Sequence, residues 1–110
     1  MKKGEIWLVD FDPALGGEYQ KVRPALIIQS EKVSSPLQTV MPISSQLKNQ
    51  KPHDILVKKE TKNRLFSDSI IKTFQIASFD KKRFIHFIGT MDSSTMGKVD
   101  DYLRLHFQLT

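Results

Sequence analysis

Gly16-Gly17-Glu18-Tyr19-Gln20-Lys21-Val22-Arg23-Pro24, residues 16–24, is the stretch whose reading decides the fold. It parts two apolar runs, Glu5 to Phe11 and Pro24 to Gln29, and both have the β-branched and aromatic make-up of strands. The paired glycines permit backbone angles closed to other residues and a close approach of a ligand to the chain. Pro24 fixes its own φ and turns Arg23 toward extended backbone, so the guanidinium is expected at the mouth of the second strand. Binding groups concentrate on loops carried by a rigid scaffold, which makes this stretch the expected functional edge. The plain alternative is a hairpin connection in which Glu18 and Arg23 form a surface ion pair of little worth.

Working outward, Asp12-Pro13 ends the first strand, and the uninterrupted apolar run from Pro24 to Gln29 predicts a strand covered on both faces. Thr39-Val40-Met41-Pro42-Ile43 reads as a third strand. Pro42 cannot donate a ladder hydrogen bond, which puts it at an edge or a bulge. Ser44 to Pro52 is a polar loop, Asp54 to Val57 a short strand, and the charged run Lys58 to Ser67 an exposed connection. Ser69-Ile70-Ile71 and Thr73 to Phe79 form one bent strand or two short ones. Asp80-Lys81-Lys82 makes a turn, and Arg83 to Ile88 is a strand closed by Gly89.

The period then changes. Asp92, Ser93 and Ser94 are N-cap candidates, and Met96, Val99 and Leu103 follow at helical spacing, predicting an amphipathic helix laid on a sheet. Leu105, Phe107 and Leu109 alternate, so the end is a terminal strand or a continued helix. Many short strands with one late helix predict a mainly β fold, a small, strongly bent antiparallel sheet or barrel.

The 110 residues are 39% apolar and 26% charged, the balance of one globular domain over residues 1–110. The formal net charge of +5 favours polyanionic partners, either nucleic acid or an acidic protein. No cysteine is present, which excludes disulfides and thiolate metal sites. The N-terminus leads into a strand rather than an apolar signal core, and no run reaches the length of a membrane span, so a cytoplasmic protein is expected.

His53, His86 and His106 are widely spaced and lack a metal-ligand pattern, so they read as structural or surface residues. Phosphate-cradling glycine motifs and Gly-x-Ser-x-Gly are missing too. What remains is a cationic set with a carboxylate and hydroxyls: Glu18, Lys21, Arg23, Ser44, Ser45 and Gln75. That set suits a phosphodiester whose nucleophile the substrate brings itself, as the 2′-hydroxyl of RNA does. The protein then supplies orientation, proton transfer and stabilisation of growing charge. Arg23 is assigned first to transition-state stabilisation, because its high pKa makes it a poor proton shuttle. Ser44 either bonds the same phosphate or simply caps its loop.

Gly4-Glu5-Ile6, Val9-Asp10-Phe11-Asp12-Pro13, Gly16, Glu18 and Arg23-Pro24 resemble the opening of the MazF/PemK toxins. The likeness continues through Ile43-Ser44-Ser45-Gln46, Asp68-Ser69-Ile70, Gln75-Ile76 with Asp80-Lys81 and Arg83, and Ile88-Gly89 before the helix. The resemblance implies an SH3-like small antiparallel β-barrel with a C-terminal helix, of the MazF, CcdB and Kid type, usually a homodimer. It implies the toxin of a type II toxin–antitoxin system, an mRNA interferase. Such an enzyme cuts single-stranded RNA at specific sequences without a metal, leaving a 2′,3′-cyclic phosphate and a 5′-hydroxyl. No cofactor is implied. An acidic antitoxin is the implied protein partner, with DNA met only indirectly through the toxin–antitoxin complex.

Carried over by position, the resemblance makes Arg23, Ser44 and Glu18 catalytic and sets Gln75 in the RNA groove; Gly17, Tyr19, Lys21, Ser45, Lys81 and Arg83 are the further expected RNA-binding residues. Three residues depart from the family pattern: Ser44 replaces a threonine, Ala77 an arginine, and Tyr19 a glutamine. Lys81 or Arg83 is the expected substitute for the lost arginine, and the Tyr19 ring a surface on which a base can stack. Two other readings stand beside the nuclease. One is a non-catalytic CcdB-like toxin that binds a topoisomerase, the other an idle RNA-binding module.

Overall fold

The structure, a computed structural model, describes residues 1–11 and 22–110. Gly17, Glu18, Tyr19 and Lys21, with the Asp12-Pro13 strand end, therefore lie outside the described residues. The strands are β1 (Glu5–Asp10), β2 (Val22–Ile27), β3 (Leu37–Ser44), β4 (Ile55–Val57), β5 (Ser69–Ile71), β6 (Ala77–Asp80) and β7 (Phe84–Thr90), followed by helix α1 (Ser93–Phe107). All pairs are antiparallel in the order β4-β5-β3-β2-β1-β7, with β6 also on β3. Register shifts between Ile6 and Trp7 and between Leu8 and Val9 bend the β1–β7 pair, as bulges do. The expected bent sheet with a late helix is present. Its barrel does not close among the described residues, because β4 and β7 each have a single partner.

The β2 run is covered on both faces, as an unbroken apolar strand requires. Leu26 packs with Ile6, Met41, Ile43, Ile71 and the helix residues Val99 and Tyr102. Ala25 and Ile27 face the other way, into Val9, Phe11, Val40, Phe79 and Phe84. Alternation in one strand thus feeds two cores, and β2 with β3 forms the wall between them.

Pro42 corrects the expectation of an edge, since β3 is central and pairs on both sides. Ile28 N–H donates to Thr39 O at 3.0 Å. By antiparallel alternation, the backbone groups of Pro42 then point away from β2. On that side its carbonyl accepts Lys72 N–H at 2.9 Å. Its missing donor falls where β3 leaves β6, after Val40↔Ala77, and takes up β5 at Ile43↔Ile71. The ladder has a gap there, so proline costs no bond.

Gly89 also differs from expectation, lying inside β7 rather than closing it. A Cβ at this position would come 2.4 Å from Lys62 O and 2.7 Å from Asn63 O, so only glycine lets that connection lie against the strand. The charged run from 58 to 67 is accordingly more than an exposed loop. Asn63 is buried within it and bonds Lys58, Glu60 and Leu65.

Helix α1 starts on Asp92, whose carboxylate accepts Thr95 N–H at 2.9 Å and the Thr95 hydroxyl at 2.7 Å. It ends on Gln108 in the left-handed conformation (φ 57°). Of the two expectations for the C-terminus the continued helix holds, and it leaves Leu105, Phe107 and Leu109 exposed. No helix among the described residues is long and apolar enough to cross a membrane.

Candidate functional site

The site forms where β2 begins and β3 ends. Ala25 lies opposite Pro42. Continuing that antiparallel register by two residues brings Arg23 opposite Ser44, and opposed residues share a face of the sheet. Arg23, Ser44 and Gln75 all line one cleft of about 280 Å³. Arg23 is half-buried, held by the extended backbone that Pro24 predicted. It also borders a second depression with Ser45 and Ser69 and a larger apolar groove with Leu8, His86 and Phe87. Arg23 therefore stands where three depressions meet. The apolar groove is larger, about 430 Å³, but the cleft with Ser44 and Gln75 is where hydroxyl, amide and cation converge.

The loop-capping reading of Ser44 is present in the structure. Its Oγ accepts the Gln46 N–H at 3.1 Å, the loop-capping role. Accepting that bond leaves its hydroxyl hydrogen available to donate toward the cleft. Gln75 is set by a tight turn in which its N–H donates to Lys72 O at 3.1 Å. Its side-chain oxygen is buried with no hydrogen-bond partner among the described residues.

Beneath the cleft lies a buried ion pair. Lys72 Nζ is 2.6 Å from Asp54 Oδ2, with side chains 9% and 1% exposed. Lys72 Nζ also donates to Asn49 O at 3.1 Å. Asp54 further accepts the backbone N–H of Lys51 at 2.9 Å and of Thr73 at 3.2 Å. Each charge is thus compensated and hydrogen-bonded, the condition for burying charge at all. The result staples the 45–54 connection to the 72–75 turn, so both walls of the cleft hang on one carboxylate.

The turn presents Phe74 beside the rings of His53, Tyr102 and His106. Burial pushes the Tyr102 phenol above its usual 10.0, and the nearby Asp54 charge acts the same way against a hydrogen bond with Thr73. Its hydroxyl lies 2.7 Å from His106 Nδ1. Among the described residues no three His, Cys, Asp or Glu side chains gather as a metal site would require.

Lys81 and Arg83 do not line this cleft. Lys81 N–H donates to Pro36 O, just before the start of β3, and Arg83 Nη1 donates to Asp10 O at 3.3 Å. Asp10 lies opposite Val22, at the end of β1 that flanks Arg23. Ala77 is taken up in β6, opposite Val40. The structure thus joins Arg23, Ser44 and Gln75, sets Ser45 in the adjoining depression, and leaves Lys81 and Arg83 out of the cleft's lining.

Sequence reasoning missed Asp54, Lys72 and Phe74. A trace of the signal was present: Lys72 interrupts the run Ile70-Ile71-Lys72-Thr73-Phe74, and a lone lysine among apolar residues is buried only when paired.

Comparison with known proteins finds relatives over nearly the whole chain. A family model described as the PemK-like, MazF-like toxin of type II toxin-antitoxin system matches residues 2–107. Endoribonuclease MazF9 of Mycobacterium tuberculosis is 30% identical, the match covering 99% of this chain and 98% of that protein. Endoribonuclease EndoA of Bacillus subtilis is 33% identical, covering 99% and 96%. Among solved structures, MazF from Deinococcus radiodurans superposes with a TM-score of 0.80 at 17% identity, covering 98% of this chain and 96% of that one. An endoribonuclease from a mycobacterial species, solved in complex with its cognate antitoxin, gives 0.75 at 13% identity, covering 100% and 95%. On its sequence and its fold alike, the chain belongs to the PemK-like, MazF-like toxins of type II toxin–antitoxin systems.

Proposed function

We propose that the protein is a metal-independent endoribonuclease that cuts single-stranded RNA at specific sequences and so arrests translation. The observation that carries this reading is the convergence of Arg23, Ser44 and Gln75 on one cleft. The substrate's 2′-oxygen attacks the adjacent phosphorus, and the bond from phosphorus to the 5′-oxygen breaks. A 2′,3′-cyclic phosphate and a 5′-hydroxyl result. The Arg23 guanidinium, permanently charged and planar, stabilises the charge that grows on the non-bridging oxygens. Ser44 donates its free hydroxyl hydrogen to the same phosphate. Glu18 takes the proton leaving the 2′-oxygen, a task unsuited to a protonated arginine, and the departing 5′-oxygen is protonated by water. Gly17, Tyr19, Lys21, Ser45 and Gln75 contact the RNA around the cut, with Lys81 and Arg83 as further cationic contacts outside the cleft itself.

The partners follow from the same chemistry. An acidic antitoxin segment blocks a cationic cleft by offering carboxylates in place of phosphates, and relatives have been solved with their antitoxins bound. One such domain per chain works as a homodimer. Relatives named as endoribonucleases weigh against a topoisomerase-binding poison.

The test is incubation with single-stranded RNA in EDTA, followed by mapping of the cut ends and their terminal groups. Cleavage with cyclic-phosphate ends is expected. Arg23→Ala is expected to keep the fold and lose about 10²-fold or more of the cleavage rate; a variant that cuts normally refutes the assignment.

A further inference from the structure

Phe74 is 56% exposed and lines the cleft alongside Arg23, Ser44 and Gln75. An exposed ring is ordinary on its own, but this one is held in place. The turn carrying it closes through Gln75 N–H to Lys72 O, and Asp54 grips the residues just before the ring through Lys72 Nζ and Thr73 N–H. Three rings back it: His53 at 6.1 Å, Tyr102 at 5.9 Å and His106 at 6.4 Å between centroids. His53 itself sits at φ +73°, a conformation uncommon for a side chain with Cβ. Thr73 Oγ1 donates to its carbonyl at 3.1 Å, tying that backbone to the same turn. The cluster is therefore rigid, flat-sided and open to solvent, and it borders a cleft that also carries Lys51 and Arg23.

We propose that Phe74, backed by His53, Tyr102 and His106, is a stacking platform for one unpaired nucleobase of the RNA whose phosphate lies in the Arg23 cleft. A fixed aromatic face adjoining fixed cations matches the alternation of base and phosphate along a single strand. An apolar protein segment offers no anionic groups to a cleft that carries Lys51 and Arg23. The platform makes Phe74 a determinant of which nucleotide is accepted beside the cut, with His53, Tyr102 and His106 as positioning residues.

The proposal rests on the ribonuclease reading, and its test separates the two. Binding is measured by anisotropy with a 2′-methoxy copy of the RNA that the wild type cuts, or with a mixed-sequence single strand if it cuts none. The proteins compared are the wild type, Phe74→Ala, Phe74→Leu and Phe74→Trp, each checked for native circular dichroism, with cleavage of the unmodified RNA followed in parallel. Alanine and leucine are expected to weaken binding and raise KM about 10-fold while kcat stays within about twofold, and tryptophan to restore both. Removing one base of the RNA is expected to cost the wild type a similar factor and to cost Phe74→Ala nothing further. Alanine binding as the wild type does, leucine restoring affinity, or base and ring losses that multiply at every position would each overturn the platform and leave the nuclease standing. So would affinity lost for an antitoxin but kept for RNA. If the wild type binds RNA without cutting it, the nuclease reading fails and the same binding ratios still decide the platform. A wild type that binds no RNA overturns both.

Discussion

Asp54 and Asn63 are polar side chains buried in charged connections of the described residues; the Asp54 side chain is 1% exposed, as is the Asn63 residue. Asn63 satisfies itself locally. Its amide donates to Lys58 O at 2.9 Å and accepts from Glu60 N–H at 3.0 Å and Leu65 N–H at 3.1 Å. Asp54 reaches far along the chain, to Lys72 and Thr73. A neutral amide with all its bonds inside one loop shapes that loop and nothing more. A carboxylate that needs a distant lysine joins two segments that would otherwise be independent, and those segments are the walls of the cleft. Burying charge is expensive, and here the cost accompanies a contact between distant segments that frames the cleft.

The largest expected effect comes from breaking the ionic hub. Lys72→Ala strands the Asp54 carboxylate and should destabilise the fold by about 3–5 kcal/mol in urea titrations. The double variant Asp54→Val, Lys72→Leu should recover most of that stability yet raise KM, because the two walls are no longer tied. A single variant costing under about 1 kcal/mol would mean that the pair is solvated and the contrast with Asn63 false.

Next comes the seat of the neutral hub. Gly89→Ala forces a methyl against Lys62 O and Asn63 O and should cost about 2–3 kcal/mol, read as a lowered thermal midpoint with kcat unchanged. Asn63→Ala leaves Glu60 and Leu65 N–H groups without their acceptor and should cost about 2 kcal/mol, again without touching kcat. A fall in kcat for either would show that the 58–67 connection takes part in the chemistry.

The smallest effect separates both hubs from an ordinary half-buried cap. Asp92→Ala should cost about 1 kcal/mol at neutral pH. Bonds from the Thr95 hydroxyl and N–H hold the Asp92 carboxyl below its usual 3.8, so its contribution is complete above that value. It is lost as pH falls through the lower folded value. The gap between wild type and variant should therefore close only in strong acid; a gap that widens there contradicts the capping role.

Much of this was readable in advance, for reasons that are local. Strand composition placed β1, β2 and β7, and the double burial of β2 followed from its unbroken apolar run. Asp92 ahead of Met96, Val99 and Leu103 marked the helix start, because capping and helical period act over a few residues. Pro24 after Arg23 set the guanidinium at a strand mouth, where it stands. Pro42 misled: a missing donor excludes a strand position only if a partner waits there, and whether one waits depends on where β6 and β5 dock. Gly89 was misplaced for a similar reason, since the backbone that demands it comes from residues 62 and 63.

By itself, then, the sequence determined the elements, the two-faced wall and the residues able to handle a phosphate, all through effects that span a turn or a strand. Only the tertiary structure decided that Arg23, Ser44 and Gln75 share a cleft, that Asp54 and Lys72 hold its walls, and that Phe74 stands exposed at its edge. Those facts are contacts between residues 18 or more positions apart. The chain pattern records what each segment can bury, whereas the pairing of segments is settled by the sheet order that brings them together.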